Sequence, residues 1–164
     1  KIQSYADDYG YSVEEHISAP YIFQKESIFG YHQRYTHDYI AATGVYFLTI
    51  DKEEIVRLLE EFLVFRLNMM NSFATQTQKQ LRQTWSRVPQ SLSERIVRFF
   101  VSHCVYPAGH KVFHILMVRL AEEVNDSRLN VSNVLNRMQR SGLITLSRGK
   151  IEIPQLERLL SASV

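Results

Sequence analysis

The pattern of apolar and polar positions changes twice along the 164-residue chain. Up to Ile50 the apolar residues come as short aromatic and β-branched runs: Tyr21-Ile22-Phe23, Tyr39-Ile40-Ala41, and Val45 through Ile50. Asp7-Asp8-Tyr9-Gly10, Ala19-Pro20 and Thr43-Gly44 separate them as turn signals. Short strands in series predict antiparallel β structure over residues 1–50. A segment of about 50 residues is too short to close a barrel or sandwich alone. The chain starts at Lys1 rather than at a methionine, so further strands are expected upstream, or a partner over the open edge.

The period then lengthens. Asp51 and Glu54 stand at capping-box spacing. After them Ile55, Leu58, Leu59, Phe62, Phe65, Met69 and Phe73 recur at steps of three and four, the mark of an amphipathic helix. No proline interrupts Asp51 to Arg87, so residues 51–88 read either as one helix of roughly 35 residues or as two with a bend near Glu60-Glu61. The stripe needs a cover. Pairing with a second copy of the chain through Ile55, Leu58, Phe62, Phe65, Met69 and Phe73 is the simplest solution, and packing on the rest of the same chain is the alternative.

Val88-Pro89-Gln90 ends this segment as a hinge, and Ser91-Leu92-Ser93-Glu94 opens a mostly buried helix. Lys111 to Leu116 reads as a strand. Met117 to Val124 is a short amphipathic helix, Asn125-Asp126-Ser127 a tight turn, and Arg128 to Met138 a second helix that Ser127 can cap. Leu120, Ala121 and Val124 face inward on the first helix, and Val131, Val134, Leu135 and Met138 on the second. Two short β segments, Leu143 to Leu146 and Lys150 to Ile153, flank the basic turn Ser147-Arg148-Gly149. Helix, turn, helix and basic hairpin in that order predict a winged helix-turn-helix over 89–164, and an α+β chain overall.

The outward face of the second helix holds Arg128, Asn130, Ser132, Asn133, Asn136 and Arg137. In the major groove arginine pairs with guanine and asparagine with adenine. Arg148 and Lys150 of the hairpin suit phosphates or a minor-groove edge. These residues make double-stranded DNA the expected partner. A winged helix used for protein contacts is the competing reading.

Charge supports the first reading and does not decide it. Gln76 to Lys150 carries 12 Lys/Arg against 4 Asp/Glu, whereas the rest carries 7 against 13. The basic half fits a polyanion and equally fits a solvated face. Cys104 is the single cysteine, read as a buried thiol with a redox or metal role as the alternative. With no signal peptide and no apolar run of about 18 residues, a cytoplasmic location is expected and no membrane partner.

The run Leu120-Ala121-Glu122-Glu123-Val124, then Ser127-Arg128, Val131-Ser132 and Val134-Leu135, closing with Gly142-Leu143-Ile144, resembles the Crp/Fnr family of transcription regulators. That resemblance implies three parts. Residues 1–50 would be the second half of a cyclic-nucleotide-binding-type antiparallel β-roll, 51–88 the dimerisation helix, and 89–164 the DNA head. It also implies a homodimer, control by an effector sensed in the roll, and recruitment of RNA polymerase. Aligned on Phe29 and Gln33, the family's Gly-Glu and Arg-Ser/Thr pairs fall on Gln24-Lys25 and Tyr35-Thr36, with an arginine one place early at Arg34. The effector pocket would therefore hold Lys25, Arg34, Tyr35 and Thr36, and its ligand is expected to differ from cyclic AMP. No cofactor is implied.

No phosphate loop, nucleophile elbow or paired catalytic carboxylates occur, so no enzyme is expected. Asp7-Asp8 and Glu14-Glu15 read as turn and solvated residues. The rival from another class is a cupin-like protein that binds a metal or small molecule and acts through protein partners. His32, His37 and Glu26 are its candidate ligands, although two histidines five apart on a strand point to opposite faces.

Overall fold

The computed structural model describes residues 1–23, 25–31, 37–85, 87–106 and 108–162, with the backbone alone at 82–84. The class is α+β: among the described residues, one six-stranded antiparallel sheet and six α-helices. The strands are β1 (Ile2–Tyr5), β2 (Tyr11–Glu15), β3 (His37–Tyr39), β4 (Lys111–Ile115), β5 (Thr145–Ser147) and β6 (Lys150–Ile153). Their order across the sheet is β3-β1-β2-β4-β6-β5. The helices are α1 (Lys52–Glu61), α2 (Leu63–Thr84), α3 (Leu92–Ser102), α4 (Met117–Glu123), α5 (Arg128–Arg140) and α6 (Leu156–Ala162). None of them is long and apolar enough to cross a membrane.

The chain divides into two compact units. One comprises residues 1–21, 36–42 and 88–164, and the other 22–35 and 43–87. The strands before residue 50 thus do not form a sheet of their own. β2 pairs with β4 across five positions, from Tyr11 opposite Ile115 to Glu15 opposite Lys111.

Glu15 explains why these strands are hard to see in the sequence. Its carboxylate is fully buried, where a solvated residue is expected from Glu14-Glu15. It accepts from Lys111 Nζ at 2.7 Å, from the Val105 N–H at 2.7 Å and from the Tyr106 N–H at 3.1 Å. A charge can occupy an inward strand position only when so partnered. By contrast Val45 to Ile50, the most apolar run before the helices, is not a strand, and all six side chains are exposed. The run has no alternation, so it needs cover on both faces to be stable as a strand. Tyr21-Ile22-Phe23 is likewise not a strand, and of Tyr39-Ile40-Ala41 only Tyr39 lies in one.

The second unit contains α1 and α2. The break falls at Phe62, whose φ of −115° and ψ of 100° leave the helical region, so residues 52–84 form two helices. Asp51 is the N-cap of α1 by position, without a side-chain cap bond. In the first unit α3, α4, α5 and α6 enclose one core with β4 and β6, centred on Phe100, Phe113, Leu120 and Leu135. Ser91 caps α3 by accepting from the Glu94 N–H at 3.1 Å, and the Glu94 carboxylate reaches back to the Gln90 N–H at 2.8 Å.

Candidate nucleic-acid interface

The two helices of the motif meet through small and branched side chains. Leu120, Ala121 and Val124 of α4 and its C-cap are buried with Val131, Val134, Leu135 and Met138 of α5. The turn between them closes by two bonds, Asn125 N–H to Glu122 O at 3.1 Å and Asp126 N–H to Ala121 O at 3.0 Å. This is a Schellman arrangement, and it places Asn125 at φ +50°, a region asparagine tolerates better than most residues. Ser127 then caps α5, its Oγ accepting from the Asn130 N–H at 3.2 Å. Gly142, at φ +67°, ends α5 with the same pair of bonds.

Asp126 ties this turn to α3. One carboxylate oxygen is ion-paired with Arg95. The other accepts from the Ser127 N–H and from the Asn130 side-chain amide, both at 2.8 Å. Asn130's amide first, then the Ser127 N–H and the Arg95 guanidinium, hold the Asp126 carboxyl below its ordinary range. The start of α5 is therefore clamped to the helix that precedes β4.

The predicted outward residues of α5 do not all stand free. Arg128, Asn133, Asn136 and Arg137 are exposed, and Ser132 is half-buried. Asn136 donates to Ser132 Oγ at 3.4 Å, a long bond that leaves both able to turn to another partner. Asn130 is exposed but already spends its amide on Asp126. At about 100° per residue, the direction opposite the buried stripe is occupied by Leu129, Asn133, Asn136 and Arg140. Selection by polar type misses Leu129, and ending the helix at Met138 leaves out Arg140, since α5 continues to Arg140. Helical phase places both outward.

The hairpin turns at Gly149, φ +69°, with Arg148 exposed at the tip. Lys150 is less free: its Nζ lies 3.1 Å from Glu152 Oε2. Glu152 also receives His110 Nε2 at 2.9 Å, and His110 and then Lys150 hold its carboxyl below the usual range. Among the described residues Arg128, Arg137, Arg140 and Arg148 have no carboxylate in ion-pair reach. The surface is thus cationic and amide-bearing around α5 and the hairpin tip.

The remaining residues singled out from the sequence fare differently. Lys25 lies in a single 3-10 turn, Lys25–Ser27, whereas Arg34, Tyr35 and Thr36 lie outside the described residues, as does His32. His37 Nδ1 bonds Ser4 Oγ at 2.8 Å. Among the described residues no three His, Cys, Asp or Glu side chains converge. The Cys104 thiol donates to Phe100 O at 3.0 Å, and burial pushes its pKa up to about 12, which leaves it poorly reactive at neutral pH. On the long helices Phe62 is exposed, Ile55, Leu58, Phe65 and Phe73 are half-buried, and Met69 is buried within the single chain.

Residues 94–162 match the Crp-like helix-turn-helix domain family. No curated protein matches the chain. Among solved structures, it is similar to the reduced Fe(II) CO-sensing protein of R. rubrum, at 23% identity over 69% of this chain and 52% of that one, with a TM-score of 0.39. It is also similar to a CRP-family transcriptional regulator of Thermus thermophilus, at 19% identity over 85% of this chain and 70% of that one, TM-score 0.39. A CRP/FNR-family regulator of the same organism matches at 18% identity over 63% and 54%, TM-score 0.38. The chain spans 50% to 55% of the first solved structures it matches. These partial likenesses leave the domain match over 94–162 as the finding that bears on function.

Proposed function

We propose that this chain, whose residues 94–162 match the Crp-like helix-turn-helix domain family, is a sequence-specific DNA-binding transcription regulator of the Crp/Fnr type that works as a homodimer. The surface of α5 carries the reading: exposed arginines and amides with no acid among them, beside a hairpin tip that presents Arg148. Base edges are read by such groups, and phosphates are held by cations placed at the sides. Arg128 is the main base contact in this reading, with Ser132, Asn133 and Asn136 around it and Arg137, Arg148 and Lys150 toward the backbone.

The dimer is assigned to α2. Leu63, Leu67, Met70 and Leu81 are all exposed and fall on one row of alternating four- and three-residue steps, with Ala74 and Thr77 between. Such a row is a coiled-coil seam in search of its copy. It lies beside the stripe read from the sequence, whose Met69 is already buried. A signal received by the residues before the long helices would set the DNA-binding state, and RNA polymerase would be the downstream partner in the cytoplasm. The effector is expected to differ from cyclic AMP, since Lys25 cannot accept a ribose hydroxyl and Tyr35 offers no charge to a phosphate.

Selection of bound duplexes from random DNA tests the function directly. A recovered near-palindrome with half-sites about one helical turn apart is the expected result. Recovery of no preferred sequence, with binding insensitive to salt, refutes the reading.

A further inference from the structure

We infer that Leu129 reads the methyl group of a thymine in the major groove, and so sets one position of each half-site. The inference rests on the DNA-reading role of α5 proposed above and adds a specificity-determining residue to it. Leu129 is 70% exposed, although leucine is among the residues most often buried. It is the second residue of α5, at the end of the helix that meets base edges in this class of motif. Its helical phase puts it near the centre of the outward face, with Asn133 one turn further along. The side chains that share this face are the cation Arg140 and the amides Asn133 and Asn136, with Arg137 at its edge, so its neighbours suit a polyanion rather than an apolar protein surface.

The floor of the major groove is lined with hydrogen-bonding edges, and its apolar feature is the thymine methyl. A leucine side chain has no donor or acceptor. Against adenine N6, guanine O6 or cytosine N4 it would strip water from a polar group and offer nothing back. Against thymine it packs on the methyl. Leu129 therefore selects twice, by contact with the right base and by exclusion of the wrong ones. Asn130 next to it cannot take over this position, because its amide is held by Asp126 at 2.8 Å.

Thymine can be changed to uracil one position at a time, which removes the methyl and leaves every hydrogen-bonding edge in place. With the full chain and a duplex obtained by selection, one thymine per half-site is expected at which uracil weakens binding about fourfold, the value of one buried methyl-sized group. In Leu129→Ala the same exchange should have no effect, while the salt dependence stays that of the unaltered chain. Leu129 is exposed, so an unchanged melting curve checks that the variant folds. Specific binding that is indifferent to uracil at every position overturns the inference and leaves the DNA-reading function standing. A uracil penalty that persists in Leu129→Ala overturns it in the same way. Absence of any sequence preference overturns both.

Discussion

Asp126 Oδ1 accepts from the Asn130 side-chain amide at 2.8 Å, so the amide that sequence reading assigned to a base edge is engaged within the chain. The Asp126 carboxylate is at the same time ion-paired with Arg95. Asn130 is therefore a positioning residue for the start of α5. Asn130→Ala should leave base preferences unchanged and lower affinity for operator and scrambled DNA together. Asn133→Ala should change the preferred sequence. Selection with both variants separates the roles, and a shifted consensus for Asn130→Ala returns it to the reading face.

The same carboxylate gives a pH dependence. Its folded pKa lies below the ordinary value because Asn130, Ser127 and Arg95 all favour the charged form. For a depressed acid, the stabilisation is fully present above the unfolded pKa of about 3.9 and is lost as pH falls through the lower folded value. The melting temperature of the chain should fall as pH drops below about 4. Other lowered carboxyls contribute to that fall, Glu152 among them. The difference between the unaltered chain and Asp126→Asn is the readout: it should be largest near neutral pH and close as the acid limit is approached.

Glu15 and Lys111 form a buried pair at 2.7 Å that joins β2 to β4. The two partners are not equivalent. Glu15→Ala strands Lys111 Nζ and the N–H groups of Val105 and Tyr106. Breaking a buried pair in this way costs about 3–5 kcal/mol. Lys111→Met leaves the carboxylate with its two backbone donors, so it should destabilise less. Denaturant titration of both variants checks the order. A larger loss for Lys111→Met means the carboxylate depends on the ammonium more than on the backbone.

The proposed dimer seam separates from the buried stripe by substitution. Leu67 and Met70 are exposed on α2, at 48% and 60%, whereas Met69 between them is at 5%. Leu67→Glu should put like charges into the seam of a pair, yielding a folded monomer with weak operator binding. Met69→Glu should instead damage the fold of each chain, since an unpartnered buried carboxylate is costly. Sedimentation and melting curves distinguish these outcomes. A Leu67→Glu protein that sediments as an unchanged dimer moves the interface off this row.

The parts legible in sequence are those where local chemistry and burial agree. Ser91 with Glu94, Ser127 before Arg128, the Asn125 turn and the Arg148-Gly149 hairpin each signal one local geometry, and each is found. The inward sets of α4 and α5 follow from helical period for the same reason. What was not legible depends on residues far apart. Glu15 reads as solvated until Lys111, 96 residues on, neutralises it, and with it β2 becomes a core strand. Val45 to Ile50 reads as a strand by composition, but a strand needs neighbours, and those are absent among the described residues. On α2 the spacing of Met69 fits a seam as well as a core position does. Only its burial distinguishes them. At the reading face, selection by polar type passes over Leu129, and a helix end read at Met138 leaves out Arg140, although phase places both outward.

Reading and holding should separate within the DNA interface. Arg128 opens α5, is exposed, and has no carboxylate in reach among the described residues, so its guanidinium is free for a bidentate contact with guanine. Arg128→Ala should cost roughly 1–3 kcal/mol at the operator and relax one base pair per half-site. Arg148 at the hairpin tip should act on all sequences alike, and Arg148→Ala should lower the salt slope by about one unit. Lys150 is ion-paired with Glu152 at 3.1 Å, so Lys150→Ala should change the slope by less than Arg148→Ala does. The converse follows for the acid. Glu152→Gln removes a negative charge beside the interface and releases Lys150, and should strengthen binding to operator and scrambled DNA equally. Binding curves for the four variants on both DNAs, at several salt concentrations, test the set. If Arg128→Ala weakens both DNAs to the same extent, α5 holds the duplex without reading it. If Glu152→Gln weakens binding, the Lys150 contact depends on being oriented by that carboxylate rather than being masked by it.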